Sequence, residues 1–342
     1  MSTETTQMRK EINEIPDAVE RLLTHDAGAI SQAAEEIRAR DPRFLISVAR
    51  GSSDHACSYL KYASELLLGL PMASVGPSVK SIYGVDMRSD GALCIAVSQS
   101  GQSPDIVQLT QSLTNGGAYS VAITNNTGSA LAGAASSALA IHAGPELSVA
   151  ATKTFVTSLV AGLWLLAEIK RDDVLLASIR GLPEALGRAI ACDWGAVVEA
   201  VNGQSLFTLG RGTSWAISNE AALKFKETCL IHAESYSSAE VLHGPVSIVD
   251  QGFPVLAFAS GDAAESNIAE VADALAVKGA QVFATSNQVC QATSLPCVRT
   301  AHWMTDPVAA IASFYGMVET VATQRGINPD TPRHLKKVTE TV

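Results

Sequence analysis

VARGSS at Val48–Ser53 and LGRGTS at Leu209–Ser214 are two versions of one turn. Their arginines, Arg50 and Arg211, stand 161 positions apart. Further out, Ser100-Gly101 is echoed by Ser260-Gly261 at a spacing of 160, and Gly117-Ala118 by Gly279-Ala280 at 162. Three landmarks at nearly one offset mark the duplication of a whole α/β unit, because solenoid repeats recur at much shorter periods. In each copy an apolar run ends in glycine and small hydroxyl residues. Open α/β sheets bind ligands outside such strand ends.

The rest of the chain falls into the same rhythm. Residues 8–24 read as helix interrupted at Pro16, and Ile30–Ala39 as a second helix. Phe44–Ala49, Leu93–Val97, Tyr119–Thr124 and Ala138–Ile141 read as strands, with Met72–Val75 as a short one. Helices are expected at 54–68, Pro104–Asn115 and Thr152–Arg171. The second copy offers strands at Ser205–Leu209, Pro254–Ala259 and Gln281–Ala284, with helices at Ile217–Leu230, Ala264–Lys278 and Pro307–Arg325. Short strands alternating with longer helices predict parallel sheets covered on both faces. Residues 172–200 read as a mostly helical link.

Composition narrows the function classes. The 342 residues are 47% hydrophobic and 17% charged, so the chain can bury sizeable cores. A net charge of −10 argues against a general nucleic-acid binder. It leaves an anionic small ligand open, because backbone N–H groups and hydroxyls can hold phosphate. No apolar run follows the start, MSTETTQMRKE, so no signal peptide is expected there; Phe155–Ile169 is too short to span a bilayer, and a cytoplasmic protein without membrane partners is expected. The cysteines Cys57, Cys94, Cys192, Cys229, Cys290 and Cys297 form no CxxC pair and read as reduced thiols. No metal-ligand spacing appears, and no cofactor is expected.

Two constellations carry chemistry. Ser98-Gln99-Ser100-Gly101-Gln102-Ser103 leaves a strand and opens a helix, where free N–H groups and the helix dipole suit a phosphate. Ser52 and Ser53, on the neighbouring strand end, can face the same crevice. The plainer reading is a set of N-caps and turn residues, which serine favours anyway. Elsewhere, Glu220, Lys224 and Glu227 are spaced to share one helix face. A solvated salt-bridge ladder would explain the spacing. The apolar neighbours Ala221, Ala222, Leu223 and Phe225 instead place the trio in a largely buried helix, where acid–base roles become plausible. His243, in the loop LHGP, is either a structural histidine or a proton carrier.

LGRGTSWAISNEAALKFKETCLIHAESYSSAEVLHGPVSIVD, Leu209–Asp250, resembles the second sugar isomerase (SIS) domain of the glutamine–fructose-6-phosphate aminotransferases. SQSGQSPD and ELSVAATKTF resemble the first SIS domain of that family. MRKEINEIPDAV is similar to the start of its isomerase half, and TPRHLKKVTETV to its tail. The resemblance implies an α/β fold of two tandem SIS domains, each a doubly wound parallel sheet flanked by helices. It suggests a helical segment at 1–35, domains at 36–175 and 196–325, a linker at 176–195 and a tail at 326–342.

The resemblance also implies roles. Ser53, Ser98, Gln99, Ser100 and Ser103 would hold the sugar phosphate. Val149 and Ala151 fall where the family contacts substrate, and alanine at 151 lacks a hydroxyl found there. Glu227 would be the isomerase base, with Glu220 and Lys224 as its helix partners. His243 would open the sugar ring, donated by a neighbouring subunit, which implies a homodimer with shared sites. Lys337 would correspond to the lysine that forms a Schiff base with fructose 6-phosphate. The chain starts at Met1-Ser2 without room for the family's glutaminase domain. The expected reaction is therefore that of an SIS-type glucosamine-6-phosphate deaminase, yielding fructose 6-phosphate and ammonia. Galactosamine 6-phosphate, fructosamine 6-phosphate, ammonia-dependent synthesis and a non-catalytic sugar-phosphate sensor are the alternatives.

Overall fold

A computed structural model describes residues 5–337. Among these, ten strands build two five-stranded sheets. The first contains β1 (Phe44–Val48), β2 (Met72–Ser74), β3 (Ala92–Val97), β4 (Tyr119–Thr124) and β5 (Ser137–Ala140), in the order β2-β1-β3-β4-β5. The second contains β6 (Ser205–Gly210), β7 (His232–Ser237), β8 (Pro254–Ala257), β9 (Gln281–Ala284) and β10 (Thr293–Ser294), in the order β10-β9-β8-β6-β7. Every pairing is parallel. Taken strand for strand, the second sheet repeats the first, as the duplicated turn requires. The central strands β3 and β4 are buried along their whole length, which is the pattern of parallel strands covered by helices on both faces.

The duplication extends into the cores. Ile46, Val48, Cys94 and Ala96 of the first core recur 161 positions later as Phe207, Leu209, Val255 and Ala257 of the second. Ile106, Leu109 and Leu113 recur 162 positions later as Ile268, Val271 and Leu275. Each buried aliphatic side chain contributes about 1.5–3 kcal/mol. Backbone geometry is repeated as closely. Gly51 and Gly212 precede their helices at φ/ψ of 57/−133° and 59/−134°, and Gly117 and Gly279 both sit at φ 100°. The left-handed region is costly for any residue with a Cβ, so glycine is retained in both copies.

The helix break expected at Pro16 falls between Gln7–Asn13 and Ile15–His25, with Pro16 in the first turn of the second helix, where its missing N–H costs nothing. The link is helical at Asp173–Arg180, Leu182–Ile190 and Gly195–Ala200. The helix expected from Ile217 starts earlier, at Thr213. Two strands were not expected, β7 and β10. Both are sheet edges, and β7 reads HAESYS with a half-exposed surface, so neither carries a continuous apolar signal.

The chain divides into two compact units that are not contiguous in sequence. The first, built on the β1–β5 sheet, holds Asp17–Glu146, Lys153–Arg180 and, of the described tail, Lys336 and Lys337. The second, built on the β6–β10 sheet, holds residues 5–16, Leu147–Thr152 and Gly181–Leu335. In this second unit the carboxylate of Asp330 accepts the Gln7 and Met8 N–H groups at 2.8 and 2.7 Å, and Arg9 pairs with Glu319. No described helix is long and apolar enough to cross a membrane.

Candidate functional site

In the first unit the strand order reverses between β1 and β3, the switch point at which open α/β sheets take ligands. The two predicted hydroxyl clusters leave the carboxyl ends of these two strands. Ser52 and Ser53 begin the Ser52–Leu68 helix and are half-buried. The Ser98–Ser103 loop follows β3. Ser98 is buried and accepts the Gly101 N–H at 3.2 Å; Ser100 accepts the Gln102 N–H at 3.3 Å. Ser103 is the N-cap of the Pro104–Asn115 helix, yet its side chain makes no cap hydrogen bond. Gly101 has φ 64°, and a Cβ there would overlap the Ser129 hydroxyl, so the loop closes only around glycine. Its backbone is tied down from behind: Gln99 O accepts Asn125 N–H at 3.1 Å, and Gly101 O accepts Leu131 N–H at 3.0 Å. Arg50 braces the turn by pairing with the fully buried Asp105 at 2.5 Å.

The second unit carries the charged trio on its Thr213–Cys229 helix. Lys224 Nζ lies 3.0 Å from Glu220 Oε1 and 2.6 Å from Glu227 Oε2. The Glu220 and Lys224 side chains are fully buried, while Glu227 keeps 19% of its side chain exposed. Tyr315 donates to Glu220 Oε1 at 3.3 Å. Burial alone would lower the Lys224 pKa, but the two carboxylates outweigh it and hold the ammonium well above the usual lysine range. Lys224 is thus a fixed cation, and Glu227 is the carboxylate of the trio that reaches solvent.

The remaining predicted residues are spread over both units. His243 follows a short 3-10 turn, Glu240–Leu242, in the second unit and is exposed. Val149 and Ala151 are half-buried and also belong to the second unit; Val149 N–H donates to Asp330 O at 3.2 Å. Lys337 belongs to the first, where its Nζ lies 2.8 Å from Glu146 Oε2. Glu146 is buried and also accepts the Thr154 N–H at 3.1 Å and the Thr154 hydroxyl at 2.6 Å. Glu146, Asp105 and Tyr315 are polar partners that sequence reasoning did not single out. They act across separations of 191, 55 and 95 positions, which no local pattern reveals.

The SIS domain sequence family matches this chain twice, over residues 40–168 and 201–323. A glutamine–fructose-6-phosphate aminotransferase (isomerizing) from Sulfolobus acidocaldarius is 32% identical over 96% of this chain and 56% of its own length. The chain thus spans little more than half of the curated relatives it matches. A crystal structure from Silicibacter pomeroyi DSS-3, provisionally described as a phosphosugar isomerase, superposes with a TM-score of 0.93 at 61% identity, covering 95% of this chain and all of the other. Glucosamine-6-phosphate deaminase from Thermotoga maritima shares the fold, with a TM-score of 0.78 at 20% identity over 98% of this chain and all of its own. With two matched segments that cover both sheets, the chain belongs to the SIS domain family and carries two such domains in tandem.

Proposed function

We propose that this protein is an enzyme acting on an amino-sugar phosphate, converting glucosamine 6-phosphate and water to fructose 6-phosphate and ammonia. The observation that carries this reading is the Lys224 ammonium buried between Glu220 and Glu227, with only Glu227 partly open. A sensor needs no such arrangement, whereas an aldose–ketose isomerisation needs one carboxylate kept ionised and within reach of substrate carbon. The serine loop supplies the second element, a set of hydroxyls and helix-start N–H groups suited to the 6-phosphate. Its remote binding energy would orient the sugar.

His243 moves a proton between O5 and O1 and opens the ring. Glu227 removes the proton from C2 while O1 gains one, giving an enolamine. Glu227 returns its proton to C1, and the nitrogen releases one as the C2=N bond forms. Water then adds to C2, the C–N bond breaks, and ammonia leaves. Lys337, whose Nζ pairs with Glu146, is a second candidate nucleophile. The named activity of the aminotransferase relatives runs towards the amino sugar, so the opposite direction with free ammonia is the natural competitor.

The test is ammonia release by the whole chain from glucosamine 6-phosphate, galactosamine 6-phosphate and fructosamine 6-phosphate, beside the reverse assay with fructose 6-phosphate and ammonia. Glucosamine 6-phosphate should turn over fastest. Binding without turnover of any of them would leave only the sensor. The homodimer is tested by mixing His243→Asn and Glu227→Gln chains. Sites that borrow histidine from a partner recover activity on mixing, and sites complete within one chain do not.

A further inference from the structure

The second unit has its own switch point, between β6 and β8, and the turn and loop there repeat those of the first. Its hydroxyls are already engaged. Ser214 and Ser260, which match Ser53 and Ser100 at offsets of 161 and 160, are both buried and hydrogen-bond to each other at 2.8 Å. Where the first loop has Ser98 and Gln99, the second has the apolar Phe258 and Ala259, both buried.

The loop N–H is engaged as well. Gly261, the match of Gly101, donates its N–H to Asp306 Oδ2 at 2.8 Å. The other oxygen, Asp306 Oδ1, accepts the Thr300 N–H at 2.8 Å and the Thr300 hydroxyl at 2.7 Å. The Arg299 guanidinium lies 3.7 Å from Oδ2, and its fork is anchored on Ala259 O, Thr285 O and Glu265. Two N–H groups, one O–H and a guanidinium converge on one carboxylate that is 4% exposed. That is the donor set a protein offers to a phosphate.

We propose that the Asp306 carboxylate is a built-in anion occupying the second switch point, so that each chain holds one phosphorylated ligand and not two. The surrounding charge agrees with this. Burial raises the Asp262 pKa against the Ala264 N–H that it accepts, and the nearby carboxylates Glu265 and Asp306 add to the rise while Arg299 opposes it. Replacing Asp306 by a small neutral residue removes the anion and leaves Gly261, Thr300 and Arg299 in place to receive another.

The inference takes from the proposed function only the reading of the serine loop as a phosphate cradle. Inorganic phosphate is the probe, with stoichiometry measured by calorimetry and by phosphate-dependent thermal shift on the whole chain. The native protein should bind one phosphate per chain and Asp306→Ser two. An Asp306→Ser chain that binds no more phosphate than the native protein overturns the inference. A native chain that binds none defeats the cradle reading instead, while a gain in the variant still supports the internal anion. Should Asp306→Ser not fold, the double variant Ser98→Ala/Ser100→Ala decides with Asp306 intact. It should bind no phosphate, and retention of one equivalent would show the second switch point open.

Discussion

The Ser52–Leu68 and Thr213–Cys229 helices start from the same turn with the same backbone angles, and they have diverged completely in charge. Glu220, Lys224 and Glu227 stand where the first unit has Tyr59, Ala63 and Leu66, 161 positions earlier. The loops diverge in the opposite sense. The first unit keeps a hydroxyl-lined SQSG, while the second fills the equivalent place with Phe258, Ala259 and its own carboxylate. Duplication preserved the scaffold while the strand-end loops and helix faces diverged. Backbone geometry is held by packing and glycine conformation, which tolerate little change. Side chains at strand ends and helix faces carry no such constraint, so function could separate there without loss of fold.

The largest test of this division is Glu227→Gln. With the base gone, kcat for ammonia release from glucosamine 6-phosphate should fall by about 10³-fold, in the range of general-base removal, while KM changes little. The matched exchange in the first unit, Leu66→Gln, should leave kcat near native. If both variants lose activity equally, the charged helix is not the seat of catalysis.

Lys224→Met should be almost as severe, but on stability. It strands Glu220 in the core without its cation, which costs about 3–5 kcal/mol, read as a shifted denaturant midpoint. Ala63→Met, at the matched buried position, should cost about 1–3 kcal/mol by overpacking. The gap between the two measures what the buried charge adds beyond size.

Gly51→Ala and Gly212→Ala probe what the copies still share. Nothing crowds a Cβ at Gly51, and at Gly212 only Asp262 Oδ2 approaches, at 4.0 Å. Each should lose about 1–2 kcal/mol from left-handed strain alone. Equal losses sharpen the equivalence, and unequal ones break it.

The smallest expected effect is the most specific. Ser100→Ala should raise KM about tenfold, the worth of one charge-assisted hydrogen bond of about 1.5 kcal/mol, with kcat near native. Ser260→Ala, its match, should leave KM unchanged and cost about 1 kcal/mol of stability by orphaning the Ser214 hydroxyl.

Much of this comparison could be read from sequence, and the reason is physical. Strands buried on both faces are written as continuous apolar runs, so β1, β3, β4, β6, β8 and β9 were legible. The edge strands β2 and β5 were legible as short runs, whereas β7, which mixes polar and apolar residues, and the two-residue β10 left no signal. The trio Glu220, Lys224 and Glu227 was legible from helical spacing. Its burial state was partly so, from Ala221, Ala222 and Phe225. Pairs that close across the fold were not: Lys337 with Glu146, Arg50 with Asp105, and Asp306 with Gly261 and Thr300 depend on topology. The turns Val48–Ser53 and Leu209–Ser214 located both switch points but could not tell which one was closed.

The second unit's joining of residues 7–16 to residues beyond 315 bears on how the protein is made. The Gln7–Asn13 helix is synthesised more than 300 positions ahead of Asp330, which caps it, and of Glu319, the partner of Arg9. Seven residues are too few to stay helical alone, so this segment must wait, unstructured, until Asp330 has been synthesised. The β1–β5 sheet, complete by residue 140, can collapse long before then. Nascent chains stalled before Glu319 should therefore expose Met8 and Ile12 to proteases, and those released after Asp330 should not.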